Sequence, residues 1–193
     1  ASDVYKRQGH MPGEKLKLRL PEILNAEASA GDLAGDLAPA GTALCAALQA
    51  SGTDDTRLRA LCDGDPHPAA TFSAALGEAS VETLLHHGIL ASTAPDNLSA
   101  LFSLRHLDGL LIVTDLPRPH RHVPDDYVDP LWEGGGLARL LDVPKGGLAL
   151  DMGTGCGVLA LTLARSARQV FAVDVNLRAL RIARFNAALN GLT

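Results

Sequence analysis

The stretch LALDMGTGCGVLAL, residues 148–161, constrains the fold most, because three glycines at alternate positions separate two apolar runs. The first run has the length of a buried strand. The second run begins at residue 158 and continues to residue 167, and its apolar residues have helical spacing. A turn between a strand and a helix needs one glycine or two. Gly153, Gly155 and Gly157 exceed that need, and glycine permits both positive φ and close approach of the backbone to a ligand. We therefore expect a ligand at this loop.

A second strand and a second helix follow the first pair. QVFAVDV (169–175) is apolar and β-branched, and LRALRIARFNAALNG (177–191) has a helical pattern that ends at Gly191. This alternation predicts an α/β fold, the start of a doubly wound Rossmann-like sheet. Ligands of such sheets bind at the carboxyl ends of the strands. Asp174 ends the second strand there, about 20 residues beyond the first glycine, where an acid accepts hydrogen bonds from ribose hydroxyls. The predicted ligand is a nucleoside-containing cofactor.

The form of the loop distinguishes between cofactors. Val158 stands where a dinucleotide-binding G-x-G-x-x-G beginning at Gly153 would need its third glycine. Asp151 lies two residues ahead of the first glycine. A carboxylate there would repel a pyrophosphate and attract an ammonium or sulfonium group, which favours S-adenosylmethionine over NAD. An NAD-dependent oxidoreductase remains the alternative, since it shares the strand, glycine loop, helix and acid.

The preceding part of the chain has a different pattern. Residues 1–10 lack apolar periodicity and are interpreted as a tag or other extraneous residues. Residues 14–116 are predicted to form a small helical, winged-helix-like α+β domain. Asp108-Gly109, between two strand-like runs in 101–116, predicts a β-hairpin. Such a domain binds nucleic acid or serves as a docking unit, and the absence of a basic recognition helix favours docking. Four helical segments are predicted ahead of the hairpin, in 38–52, 56–65, 67–77 and 80–90.

A Pro-rich stretch without periodicity, 117–130, is predicted to be a linker to the α/β domain at 131–193, which opens with a helix at about 131–141. His120 and His122 in the linker have no third ligand at a suitable spacing, so we predict no metal site.

Composition restricts the cellular setting. The net charge is −5 and aromatic residues make up 4% of the chain, which argues against a generally basic nucleic-acid-binding surface. No apolar run approaches the roughly 18–20 residues of a membrane span, so no membrane partner is predicted. Cys45, Cys62 and Cys156 are odd in number and lack metal-like spacing. They indicate a reduced, cytoplasmic protein.

LALDMGTGCGVLALTLA followed by VFAVDVNLRALRIARFNAALNGL resembles the class I S-adenosylmethionine-dependent methyltransferases. Within them it is most similar to the small-domain branch, which holds the HemK-like glutamine methyltransferases and several ribosomal RNA methyltransferases. LLHHGIL, LIVTDL and DYV, in that order, resemble more weakly an actinobacterial-type group of methyltransferases. The resemblance covers about 55–193 and is strongest over 148–192.

The resemblance implies a role for each residue that matches the family's motifs. One set would surround the methionine end of the cofactor: Asp151, Gly153, Thr154, Gly155, Cys156 and Gly157. Asp174 would bind the ribose, and Val175 and Asn176 would lie beside the adenosine. Structural roles are alternatives for three of these residues: Cys156 as a small packing residue, Thr154 as the cap of the following helix, and Asn176 as the cap of the helix that begins at Leu177.

Members of this branch hold the target nitrogen with an Asn-Pro-Pro-[Tyr/Phe] motif after the fourth strand, and no such motif occurs here. We therefore expect this chain to be the N-terminal portion of the enzyme, with no catalytic residue and no methyl transfer by itself. The apolar runs of its two strands would then lack part of their cover. The resemblance implies N-methylation of a macromolecule, either ribosomal RNA or a translation-factor glutamine. A docking module with a vestigial methyltransferase half is the remaining alternative.

Overall fold

The structure, a computed structural model, describes residues 45–46, 63–117, 127–128, 134–141 and 145–192. The predictions for residues 1–10, His120 and His122 lie outside these ranges, as do most of the helices predicted in 38–52 and 56–65. Residues 45 and 46 are helical. Within the described ranges, no helix is both long and apolar enough to span a bilayer.

Two helices and a three-stranded antiparallel sheet form the first part of the described chain. The elements are β1 (His67–Pro68), α1 (Ala69–Leu76), α2 (Glu78–His86), β2 (Leu90–Ala94) and β3 (Asn97–Ala100). The strands lie in the order β1-β3-β2. The apolar side chains of both helices and of the sheet contribute to one core with the rest of the chain.

The prediction of a helix over 80–90 is wrong at the C-terminal end, because α2 stops at His86 and Leu90 already lies in β2. Gly88 adopts φ 70°, the amide of Ile89 donates to the carbonyl of Leu84 and the amide of Gly88 donates to that of Leu85. These paired bonds form a Schellman motif, which closes a helix and redirects the chain. The β2–β3 hairpin that follows was not predicted. The winged-helix assignment stays a prediction, since its first helices lie mostly outside the described residues.

The predicted hairpin at Asp108-Gly109 is confirmed. β4 (Ser103–Leu107) pairs antiparallel with β5 (Leu110–Thr114), and Leu107 lies opposite Leu110. Asp108 has φ 48° and Gly109 has φ 82°. Positive φ at both central residues is typical of the two-residue turn whose twist matches that of paired strands.

The second half has the predicted alternation of strands and helices, so the fold is mixed α/β. A short helix, α3 (Gly134–Ala138), precedes β6 (Leu148–Met152), α4 (Val158–Ala164), β7 (Gln169–Val173) and α5 (Leu177–Leu189). β6 and β7 are parallel, with Leu148 opposite Gln169 and Met152 opposite Val173. Gly191, at φ 67°, follows α5 as predicted.

One face of the β6–β7 sheet is open to solvent, as expected from the sequence. Its side chains are between 43% and 77% exposed, and they belong to Leu148, Leu150, Met152, Phe171 and Val173. The opposite face packs on α4, so Ala149 and Val170 are half-buried. Parallel strands are normally covered on both faces, and this pair is covered on one.

The β4–β5 hairpin packs against α5 through two asparagines. Asn186 pairs with the backbone of Val113 and Asn190 with that of Leu111, each side chain both donating and accepting. The two asparagines are four residues apart in a helix, which corresponds to a rise of about 6 Å. Their two backbone partners are two residues apart in a strand, a rise of about 6.7 Å, so each asparagine lies opposite its own partner. The hairpin, assigned by sequence to the N-terminal domain, therefore contacts the last helix of the α/β part directly.

Candidate functional site

The glycine loop connects β6 to α4 at the carboxyl end of β6. The amides of Gly153 and Thr154 donate to the carbonyl of Val173, at 2.8 and 3.0 Å, which fixes the loop against the end of β7. Gly153 and Gly155 adopt φ 75° and 54°. A Cβ at either position would meet nothing within 4 Å, so both residues border open space. The loop is therefore open at these two glycines, and binding of a ligand there stays a prediction.

Gly157 has a different environment from the other two glycines. At φ 86°, a Cβ there would lie 2.9 Å from the Cβ of Ala183 and 3.1 Å from its Cα. Gly157 therefore allows α5 to pack closely on the start of α4. This packing explains why the loop has three glycines, and it is a role that the cofactor prediction for Gly157 did not include.

Asp151, at the end of β6, is buried and holds the loop and the next helix together. Its Oδ2 accepts a hydrogen bond from the Thr154 hydroxyl at 2.7 Å and another from the Ala160 amide at 3.0 Å. Thr154 is also buried, and the N-cap residue of α4 is Gly157, which has no side chain to accept a hydrogen bond. The alternative that Thr154 caps α4 is therefore wrong, because Asp151 binds a first-turn amide and Thr154 binds Asp151.

Asp174 follows β7 and connects two backbone segments. Its Oδ2 accepts from the Gly155 amide and its Oδ1 from the Asn176 amide, each at 2.8 Å. The carboxylate thereby joins the middle of the glycine loop to the turn before α5. The predicted ribose-binding acid and the predicted methionine loop are in direct contact.

Val175 and Asn176 form the turn between Asp174 and α5. The Val175 side chain is fully exposed beside the loop. The Asn176 side chain accepts from the amides of Arg178 and Ala179, at 2.9 and 3.3 Å, as an N-cap residue does. The structural alternative for Asn176 is confirmed, and its capping fixes the first turn of α5 next to Asp174.

Cys156 is buried, and only 5% of the residue is exposed. This burial agrees with the small packing residue considered from the sequence. Its carbonyl oxygen accepts a hydrogen bond of 2.8 Å from Nδ2 of Asn186 in α5. The loop is thus bound from the helix side as well as from Asp174.

An ion pair joins the end of β5 to the start of α5. The guanidinium of Arg178 donates to both carboxylate oxygens of Asp115, at 2.5 and 2.6 Å, and both side chains are less than 15% exposed. Asp115 also accepts from the amide of Val128, at 2.8 Å. The sequence analysis missed Asp115, Arg178 and Asn186. One signal was available, because an acid lies in or directly after the last residues of each of the strands β5, β6 and β7.

A half-open groove of about 480 Å³ lies between α4, β7 and α5. Alanine is its commonest lining residue, and Arg168, Arg184 and Gly157 also line it. Asp151 and Asp174 do not line it. The groove is therefore separate from the carboxylates of the candidate site.

Comparisons with known proteins agree with the resemblance seen in the sequence. Residues 135–193 match the family described as methyltransferase small domain, whose members generally use S-adenosylmethionine. No curated protein matches the chain. A similar solved structure is the crystal structure of wild-type Trm5b from Pyrococcus abyssi, with 19% identity and a TM-score of 0.36 over 54% of this chain and 32% of that one. The chain thus spans about a third of that protein. The family match covers all the predicted site residues, so the segment that is similar to the methyltransferase small domain is the one on which the resemblance in sequence rests.

Proposed function

We propose that the protein is an S-adenosylmethionine-dependent methyltransferase that methylates a nitrogen atom of a macromolecule. The observation that carries the proposal is the contact between Asp174 and Gly155, which brings an acid to an open glycine loop inside the segment that matches the family. Neither the loop nor the acid alone would specify a nucleoside cofactor. Together, at the carboxyl ends of two parallel strands, they form the expected arrangement.

The residues present fit such a cofactor. Each carboxylate oxygen can accept about two hydrogen bonds, and each oxygen of Asp174 accepts one from the backbone, so capacity remains for two ribose hydroxyls. Open space at Gly153 and Gly155 leaves room for the methionine end beside the loop. Asp151 uses Oδ2 for the two internal bonds given above. Its negative charge lies directly beneath the loop, where it attracts a cationic ligand.

The chain's own residues would bind and orient the cofactor. S-adenosylmethionine, when bound, supplies a methyl group activated by a sulfonium. Asp174 would hold the ribose, the Gly153–Gly155 backbone would border the methionine end, and Val175 would contact the adenine side. Transfer is an in-line attack by the acceptor nitrogen, and the protein contributes positioning and exclusion of water. We assign no catalytic residue to this chain.

The acceptor is proposed on the resemblance to the branch. That branch contains enzymes for ribosomal RNA and for translation-factor glutamine, and both acceptors are nitrogen atoms of macromolecules. The N-terminal part would serve as the docking unit for this substrate. We propose a cytoplasmic setting, in keeping with an acceptor in the translation machinery.

Two measurements on the full-length protein test the proposal. Calorimetric titration should detect S-adenosylmethionine and not NADH. Tritiated methyl groups should then be transferred to ribosomal subunits or to release factors, offered separately. Tight binding of NADH without binding of S-adenosylmethionine would reject the methyltransferase. Binding of S-adenosylmethionine with no transfer to either substrate would reject the acceptor class alone.

A further inference from the structure

We propose that Asn186 is a positioning residue for the glycine loop, and that through it the β4–β5 hairpin supports binding of the methionine end of the cofactor. The inference rests on the proposed function. Asn186 lies in α5 and contacts neither Asp174 nor the open side of the loop. Its effect would be exerted through the carbonyl of Cys156.

Three hydrogen bonds define the position of Asn186. The side chain is completely buried. Its Oδ1 accepts from the Val113 amide, and its Nδ2 donates to the carbonyls of Val113 and Cys156, each at 2.8 Å. One side chain therefore connects the β5 edge to the loop, across 73 and 30 residues of sequence.

Only a primary amide of this length meets these requirements. The site presents one N–H donor and two carbonyl acceptors, and an asparagine side chain offers one acceptor oxygen and two donor hydrogens. A carboxylate would face both carbonyls without a proton to donate. An apolar side chain would leave three buried backbone groups unpaired. The match indicates that the bond to Cys156 belongs to a fully satisfied network.

The bond to Cys156 holds the last part of the loop against α5, next to the turn in which the Gly157 amide donates to the Thr154 carbonyl at 2.8 Å. Gly153 and Thr154 are fixed by Val173, and Gly155 is fixed by Asp174. Gly155 and Gly157 flank Cys156 and both have high backbone freedom. Without the amide of Asn186, the Cys156 carbonyl loses its hydrogen bond to α5, and the turn that contains it is held less firmly against that helix. The methionine end would then meet a loop with several conformations.

Asn190 provides a matched control within the same helix. It pairs with the Leu111 amide and carbonyl, at 2.9 and 2.7 Å, as Asn186 pairs with Val113. Its third bond goes to the carbonyl of Asn186 in the same helix, not to the loop. Replacing Asn190 removes the same kind of contact with the hairpin and leaves the bond to Cys156.

The test compares Asn186→Ala and Asn190→Ala in the full-length protein by calorimetric titration with S-adenosylmethionine and with adenosine, which lacks the methionine end. Thermal unfolding first establishes the temperature at which both variants are folded. We expect Asn186→Ala to weaken S-adenosylmethionine binding about tenfold, the effect of one hydrogen bond to a preorganised loop. Adenosine binding should change less than about threefold, and Asn190→Ala should change neither by more than that.

The outcomes separate this inference from the proposed function. Equal weakening of both ligands by Asn186→Ala, or equal effects of the two variants, would overturn the positioning role, because general loosening of the fold has no preference for the methionine end. If Asn186→Ala does not fold, Asn186→Asp and Asn190→Asp replace the pair, since aspartate keeps the side-chain shape and the acceptor. A wild-type protein that binds neither ligand would instead contradict the proposed function.

Discussion

Asp174 joins the glycine loop to the start of α5 and is also the proposed ribose ligand, so its replacement should have a large effect. We predict that Asp174→Ala weakens S-adenosylmethionine binding by about 2–4 kcal/mol, the value of two charge-assisted hydrogen bonds. Calorimetric titration of the full-length protein measures the change. Asp65→Ala, which removes an exposed carboxylate from the N-terminal part, is the control. A dissociation constant within about threefold of the wild-type value would show that Asp174 does not bind the ribose.

A second prediction at the scale of single residues concerns Gly157 and the stability of the fold. Gly157 and Gly191 both have positive φ, 86° and 67°, but of the two only Gly157 would bring a Cβ into collision with another helix. Gly191→Ala should therefore cost only the left-handed backbone strain, about 1 kcal/mol. Gly157→Ala should cost about 1–3 kcal/mol more, because Ala183 and its backbone must move. Urea unfolding of the two variants gives the difference, and equal losses would show that α5 does not pack this closely.

At the scale of elements, the Asp115–Arg178 ion pair should stabilise the contact between β5 and α5. Asp115→Asn removes the charge that compensates the mostly buried guanidinium of Arg178. This change should lower the free energy of unfolding by about 3 kcal/mol. Asp108→Asn breaks the Arg139 pair, in which both side chains are more than half exposed. Its cost should stay below about 1 kcal/mol, because solvent screens that pair and asparagine tolerates the positive φ of the turn.

The free energy of unfolding of each variant, measured in urea, checks this contrast. A double-mutant cycle with Arg178→Gln and Asp115→Asn then isolates the pair from the bond to Val128. A coupling energy close to zero would show that β5 and α5 are held by the asparagines and by apolar packing alone.

At the scale of the whole molecule, the open face of the β6–β7 sheet should make the 193-residue chain bind hydrophobic dyes. The double variant Leu150→Thr and Phe171→Thr should lower the fluorescence of bound anilinonaphthalene sulfonate. It should cost little stability, since both side chains are at least half exposed and threonine suits a strand. Val113→Thr, at a position 2% exposed, is the control and should cost about 1–3 kcal/mol. Equal destabilisation by the two changes would mean that the face is covered in solution.

The amino-acid sequence by itself determined the features that depend on a few consecutive residues. The apolar periods located β6, α4, β7 and α5, and Asp108-Gly109 located the β4–β5 hairpin. Glycine at alternate positions, Asp151 ahead of them and Asp174 after the second strand marked the loop and its neighbours. These signals are local, because backbone dihedrals and side-chain periodicity are set within one or two turns of chain.

Only the tertiary structure decided which residues meet across long stretches of sequence. The pairs Asn186–Val113 and Arg178–Asp115 are 73 and 63 residues apart, and no local pattern specifies a partner at that distance. The packing role of Gly157 likewise followed from its contact with Ala183 in α5. A buried amide or carboxylate binds whatever donor or acceptor the packing brings to it, so its role is known only once the helices and strands are in place.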